Sequence, residues 1–347
     1  MPPTSRFGVM NDYHFGDTNC GSQASVVDKL INLQKRPEFI VMPGDLLDCP
    51  TAPAGDVNPL HFPAVRDIWG NLIDGLEEQS IPVADGLGNH DLWTGFGGEN
   101  VKGDIQQRNK KRIAEGSLFL PYGISTADNA ANYGNKGYHY TWFFPLEKNG
   151  KKVLVAFFML NNLPGNANRT DPGDTGHGHD EGTYAFGALD YLKASMQTMA
   201  CMPDYDYKVG IPMFHINYGC DVNGDTHGNP ERWWTYADKK ALKDVLDKAP
   251  IKIVTAFFGH EHVRSIEKQT LYIGDRKDPA NKTEYSGYRC ACSIDKPRLN
   301  IIDLELVEEN GHCKIKITPR FIEVAKLTST DDCLPTIKEG LQSCIEL

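Results

Sequence analysis

Phe7-Gly-Val-Met10 runs without a break into Asn11-Asp-Tyr-His-Phe-Gly-Asp17. Four apolar residues stop at a cluster of carboxylate, amide and imidazole groups, as expected of a buried strand that ends by delivering polar side chains on a loop. The pattern recurs along the chain. Phe39-Ile-Val-Met42 ends at Pro43-Gly-Asp45, Ile81-Pro-Val-Ala84 leads to Gly88-Asn-His-Asp91, Val209 to Phe214 ends at His215, and Ile251 to Phe258 ends at Gly259-His260. Five predicted strands therefore finish in Asp, Asn or His.

Helical patterns lie between them, at Ser25 to Arg36, Pro63 to Gln79, Leu189 to Met199 and Trp233 to Lys248. Alternating strands and helices predict an α/β domain with covered sheets. Tyr138 to Pro145 alternates, and Lys152 to Leu160 is nearly continuously apolar. Leu299 to Val307 joins Cys313 to Phe321 through Glu308-Glu-Asn-Gly311, whose Asn-Gly pair is a hairpin signal. These segments predict an added antiparallel layer. Residues 1–325 read as one domain and 326–347 as a tail packed on it, with a short helix over Pro335 to Gln342. The loops Leu92 to Gly137 and Leu163 to Gly187 have the length of functional loops.

A chain of 347 residues, 40% of them apolar, can fill a large core. Its 46 acidic and 36 basic residues give a net charge of −10, which argues against affinity won by neutralising a nucleic-acid backbone. Mean hydropathy is −0.43, and no run approaches the roughly 18 apolar residues of a membrane span. The nine cysteines include no C-x-x-C pair, against zinc knuckles and thioredoxin-like motifs. The first residues lack a signal-peptide pattern, which fits an intracellular or a processed chain; compartment, disulfides and oligomeric state stay open.

Five motifs occur in order at the predicted strand ends: Asp12-Tyr13-His14, Gly44-Asp45-Leu46-Leu47-Asp48, Gly88-Asn89-His90-Asp91, His215, and Gly259-His260-Glu261-His262. Any one of them is common by chance, and His215 alone reads as a hydrogen-bonded structural histidine. Together, two carboxylates, one amide and four imidazoles form a thiolate-free donor set suited to Mn, Fe, Zn or Ni. Seven donors are too many for one ion, whereas two ions about 3.5–4 Å apart can share a carboxylate.

The set resembles the calcineurin-like metallophosphoesterase superfamily, with its D-x-H, G-D-x-x-D, G-N-H-D/E, lone His and G-H-x-H motifs, over residues 7 to about 265. The resemblance implies a four-layer α-β-β-α sandwich of two mixed sheets, with a binuclear metal site at the C-terminal ends of the strands. Asp12, His14, Asp45 and His262 would hold one ion, and Asp45 would bridge to a second held also by Asn89, His215 and His260. The implied activity is hydrolysis of a phosphomonoester or phosphodiester bond in a small phosphorylated or nucleotide substrate by a metal-bridging hydroxide. His90, oriented by Asp91, would be the catalytic side chain that stabilises the transition state or donates a proton. Asp48 would be a supporting carboxylate.

Departures from the branches of that family narrow the reading. Asp48 stands where purple acid phosphatases carry tyrosine, and the arginines of the G-D-x-V-D-R-G and R-G-N-H-E phosphoprotein phosphatases are missing from their places. A catalytically silent metal-binding scaffold and a nuclease of the DNA-repair type are the alternatives, the second opposed by the acidic charge. The two long loops are the candidate selectors of substrate. Deleting residues 165–179 is expected to change the ratio of activities on different phosphate esters with metal content unchanged; an unchanged ratio would remove that assignment.

Overall fold

The computed structural model describes residues 1–14, 23–46, 61–86, 88, 139–160, 188–218, 236–273, 277–294, 296–329, 334, 337–338 and 340–347. Two mixed sheets form its frame. In the first, β1 (Thr4–Val9) pairs in parallel with β2 (Ile40–Met42), and β2 in parallel with β3 (Val83–Asp85). On its other side β1 is antiparallel to β11 (Arg298–Glu309), followed by β12 (His312–Glu323) and β13 (Ser343–Glu346). The β11–β12 hairpin turns through Asn310 and Gly311, both with positive φ, as a two-residue Asn-Gly loop demands.

The second sheet has the order β4 (Tyr140–Lys148), β5 (Lys151–Met159), β6 (Tyr207–Met213), β8 (Phe257–Phe258), β10 (Lys282–Arg289) and β9 (Glu267–Tyr272), with β7 (Lys252–Ile253) also paired to β6. Strands β5, β6, β8 and β10 are parallel, and the two outermost strands, β4 and β9, are antiparallel to their neighbours.

Helices α1 (Gln23–Ile31) and α2 (His61–Glu78) pack on each other beside the first sheet, and α3 (Ala188–Ala200) and α4 (Tyr236–Asp247) do so beside the second. Each buries one stripe. Val26 and Leu30 are buried on α1, Leu72, Ile73 and Leu76 on α2, and Leu189, Leu192, Met196 and Met199 on α3, at spacings of three and four residues. The chain is thus an α-β-β-α sandwich.

Aromatic rings fill the space between the sheets. Phe7 stacks on Phe39 at 5.1 Å and meets Phe157 and Phe257 edge-on at 5.3 and 5.5 Å, while Trp142 stacks on Phe157 at 5.3 Å. All five are buried, each contributing on the order of 2–3 kcal/mol in area removed from water.

Two segments differ in kind from the sequence expectation. The strand expected over Ile251 to Phe258 is split into β7 and β8, because Gly210 pairs with Ile253 but Met213 with Phe257. One extra residue on that side makes a bulge, an override of a local pattern by the register of the neighbouring strand. The helix expected over Pro335 to Gln342 is not formed at residues 337, 338 and 340–342; the chain instead enters β13, which takes up the backbone groups along the edge of β12. β9 and β10 carry mixed charged and apolar residues and give no clear periodicity to read.

An ion cluster holds the central strands of the first sheet. The Arg6 guanidinium on β1 donates to both carboxylate oxygens of Asp303 on β11, at 2.7 and 3.2 Å, and Arg320 on β12 adds a third bond at 2.7 Å. Burial opposes the charge of Asp303, but Arg6, then Arg320 and Lys35, outweigh it and hold the carboxyl below its ordinary value of 3.8. A depressed folded-state pKa stabilises the fold above the unfolded value and ceases to do so as pH falls through the folded one. Asp303→Asn is therefore expected to cost about 2–3 kcal/mol at pH 7, with the difference from wild type shrinking as pH approaches 3 in urea unfolding experiments. An equal difference at both pH values would contradict the assignment.

Candidate metal centre

The loops that leave β1 and β2 run side by side beyond the strands. Met10 N–H donates to Val41 O at 2.9 Å, Asp12 N–H to Gly44 O at 3.3 Å and His14 N–H to Asp45 O at 3.1 Å, so Asp12, His14 and Asp45 are placed by backbone hydrogen bonds between the two loops. The second sheet repeats this device. Phe214 N–H donates to Phe257 O at 3.1 Å and Gly259 N–H to His215 O at 3.0 Å, while the buried Asn217 side chain donates to Gly259 O at 3.2 Å. The two pairs of loops meet where His260 N–H donates to the Asp12 carboxylate, at 2.9 and 3.2 Å to its two oxygens.

These loops turn sharply. Asp12, His14, Asp45, His260 and His262 all have left-handed backbones, with φ of 49°, 48°, 49°, 80° and 45°. An L-residue pays roughly 1–2 kcal/mol for that conformation, a strain found mainly where surrounding contacts fix a functional geometry. Two glycines allow the loops to close up. A Cβ on Gly259 would lie 2.6 Å from both Asn11 Nδ2 and Asp12 Oδ2, and one on Gly88 would fall on the backbone and carboxylate of Asp45. Only a residue without a side chain fits at either place.

The side chains converge in two groups with one member in common. Asp12, His14, Asp45 and His262 bring ligand atoms within 4.8 Å of one another, and so do Asp45, His215 and His260. In the first, His14 Nε2 is 2.9 Å from His262 Nε2 and 3.5 Å from Asp45 Oδ2, and His262 Nε2 is 3.8 Å from Asp12 Oδ1. In the second, His215 Nε2 is 3.2 Å from both Asp45 Oδ2 and His260 Nδ1. The same oxygen of Asp45 thus faces a histidine of each group. Asp12 is 0% and Asp45 1% exposed, whereas His262 is 37% exposed, so the cluster opens to solvent on the His262 side.

The donor set fits metal ions. Burying two carboxylates among four imidazoles is costly unless cations compensate them, and oxygen and imidazole nitrogen are the donors of the divalent transition metals. Among the described residues neither group includes a cysteine, and burial, with the negative charge of Asp12 adding to it, raises the thiol pKa of the neighbouring Cys290. A buried His/Asp cluster able to hold metal is therefore present.

Asn89, His90, Asp91 and Asp48 lie outside the described residues. Arg264 is exposed, while Glu261 is ion-paired to Arg289 on β10, which also binds Glu267 on β9. Burial works against the charge of Arg289, but Glu267 and Glu261 prevail and hold its pKa above the ordinary value. Sequence reasoning missed Asn217, Arg289 and the whole 289–293 segment that lies against the cluster. Asn217 follows His215 by two residues in a loop, a faint signal; Arg289 gave none.

Comparison with known protein families finds no family whose profile matches, and comparison with curated proteins finds no match. Among solved structures, one titled "Structure of PhoD" is similar at 10% identity, over 100% of this chain and 70% of that one, with a TM-score of 0.47.

Because both groups depend on Asp45, Asp45→Asn is expected to weaken metal binding throughout the cluster, whereas His215→Ala removes a donor from the second group alone. Titration of chelator-stripped protein with Mn(II), followed by calorimetry, tests this. Unchanged binding by Asp45→Asn would show that Asp45 is no ligand.

Proposed function

We propose that the chain is a binuclear metallophosphoesterase of the calcineurin-like type, hydrolysing phosphomonoester or phosphodiester bonds of a small or nucleotide substrate. The observation that carries this reading is the single Asp45 oxygen lying between His14 of one donor group and His215 of the other, at 3.5 and 3.2 Å. One carboxylate common to two clusters is what a pair of closely spaced ions requires, and such pairs suit the in-line displacement of phosphate esters.

When bound, the ions would supply Lewis-acid polarisation of the phosphoryl oxygens and acidify the attacking water. Asp12, His14, Asp45 and His262 would hold the first ion, and Asp45, Asn89, His215 and His260 the second. The chain's own contribution is a rigid frame. Asp12 accepts the His260 backbone N–H and faces His262, so one carboxylate links a loop of each sheet to the same donor group. The exposed edge of His262 is the side from which a phosphate group would approach. His90, beside the ligand Asn89, would hold a proton for the leaving group or bond a phosphoryl oxygen, with Asp91 setting its orientation.

The test is hydrolysis of bis-p-nitrophenyl phosphate and p-nitrophenyl phosphate by stripped protein reloaded with Mn, Fe, Zn, Ni or Mg. Metal-dependent turnover is expected, lost with Asp45→Asn. His90→Ala is expected to lower kcat by about 10²–10⁴-fold with metal content unchanged. Protein that binds two ions yet hydrolyses neither ester with any metal would move the reading to a silent scaffold.

A further inference from the structure

We propose that Arg289 and Glu261 form a positioning pair that fixes the paired histidines His260 and His262, a role that rests on the metal-binding reading above. Glu261 stands between the two. Both histidines have left-handed backbones, so the Gly259-His-Glu-His262 loop bends twice within three residues, on the solvent-open side of the cluster. A loop so strained keeps its shape only if contacts from outside hold it.

Those contacts come from one segment. Cys290 N–H donates to Phe258 O at 2.9 Å and Cys292 N–H to Val263 O at 2.8 Å, so the loop is bracketed at both ends by the chain that continues from β10. The Arg289 guanidinium reaches the middle of the loop, where one nitrogen binds Glu261. Its other terminal nitrogen binds Glu267 on β9, so the planar fork is held at both tips.

The segment is itself immobilised. Ser293 N–H donates to Asn11 O at 3.0 Å, and the buried Asn300 amide bonds Ala291 N–H, Ala291 O and Val9 O at 2.8–2.9 Å. The strut from β10 thereby ties the loop of His260 and His262 to the strand that delivers Asp12 and His14.

A substrate-binding role for Arg289 fits the same geometry poorly. Both terminal nitrogens are occupied by carboxylates, and two carboxylates against one guanidinium leave a net negative patch that does not attract phosphate. Positioning also accounts for an arginine rather than a lysine, because an ammonium is a point charge and cannot fix two carboxylates in one plane.

The experiment titrates stripped full-length protein with Mn(II). Arg289→Met and Glu261→Gln are each expected to weaken binding about 10–100-fold, the usual effect of removing a group that orients a ligand, and the double variant no further than either alone. Arg289→Lys should restore less than half of the lost affinity on a logarithmic scale. Asp303→Asn, less stable but remote from the cluster, should bind as wild type does. Wild-type affinity in Arg289→Met and Glu261→Gln, or strictly additive losses in the double variant, would overturn the pairing; should Arg289→Met fail to fold, the near-isosteric Glu261→Gln decides. If Asp45→Asn also binds normally, the metal reading itself falls; if Asp45→Asn alone loses manganese, only the positioning role falls.

Discussion

Asp12 and Asp45 place two carboxylates at the meeting of two sheets with almost no contact with water. Charges so buried demand compensation, and the architecture around them is arranged to supply it. Asp12 takes the backbone N–H of His260 across the sheets, and four imidazoles close around both carboxylates. Each sheet contributes two loops to the enclosure of the shared carboxylate. Backbone hydrogen bonds between the paired loops beyond β1/β2 and beyond β6/β8 explain how loops without regular structure hold atoms in fixed relation.

Strain and stability are distributed in opposite parts of the molecule. Five of the donor residues occupy left-handed backbone conformations, each an unfavourable term. The aromatic stack between the sheets and the Arg6–Asp303–Arg320 cluster lie away from the donors, joined to them through β1, which carries Arg6 and Phe7, and they offset that cost without touching the donors. The close approaches at Gly88 and Gly259 show the same division. Those glycines sacrifice side-chain packing so that the carboxylates can be enclosed by backbone.

Much of the candidate site was legible because short apolar runs ending in Asp or His read as strands that end in loops, and because the motifs carrying Asp12, His14, Asp45, His215, His260 and His262 occur in the order of a family they resemble; the structure brings these six side chains together. The hairpin at Asn310-Gly311 was equally plain, since its turn chemistry is local. Arg289, Asn217 and Asn300 were not legible. Each acts on backbone groups or on a carboxylate brought near by folding, and nothing beside them in the chain marks that duty. The bulge between β7 and β8 and the terminal strand β13 failed for a related reason, as both are imposed by a neighbouring strand's register and free edge.

Sequence alone was enough for the α/β character, the β1, β2, β5 and β6 strands, the Asn310-Gly311 hairpin and the donor chemistry, because hydrophobic runs, turn residues and side-chain type are properties of short stretches. Folding decided the distances at which Asp45 meets His14 and His215, and that the cluster opens at His262. It also decided which buried polar side chains hold the loops. These outcomes depend on contacts between residues far apart in the chain, such as Val9 with Asn300 and Asn11 with Cys292, which folding sets and no local pattern encodes.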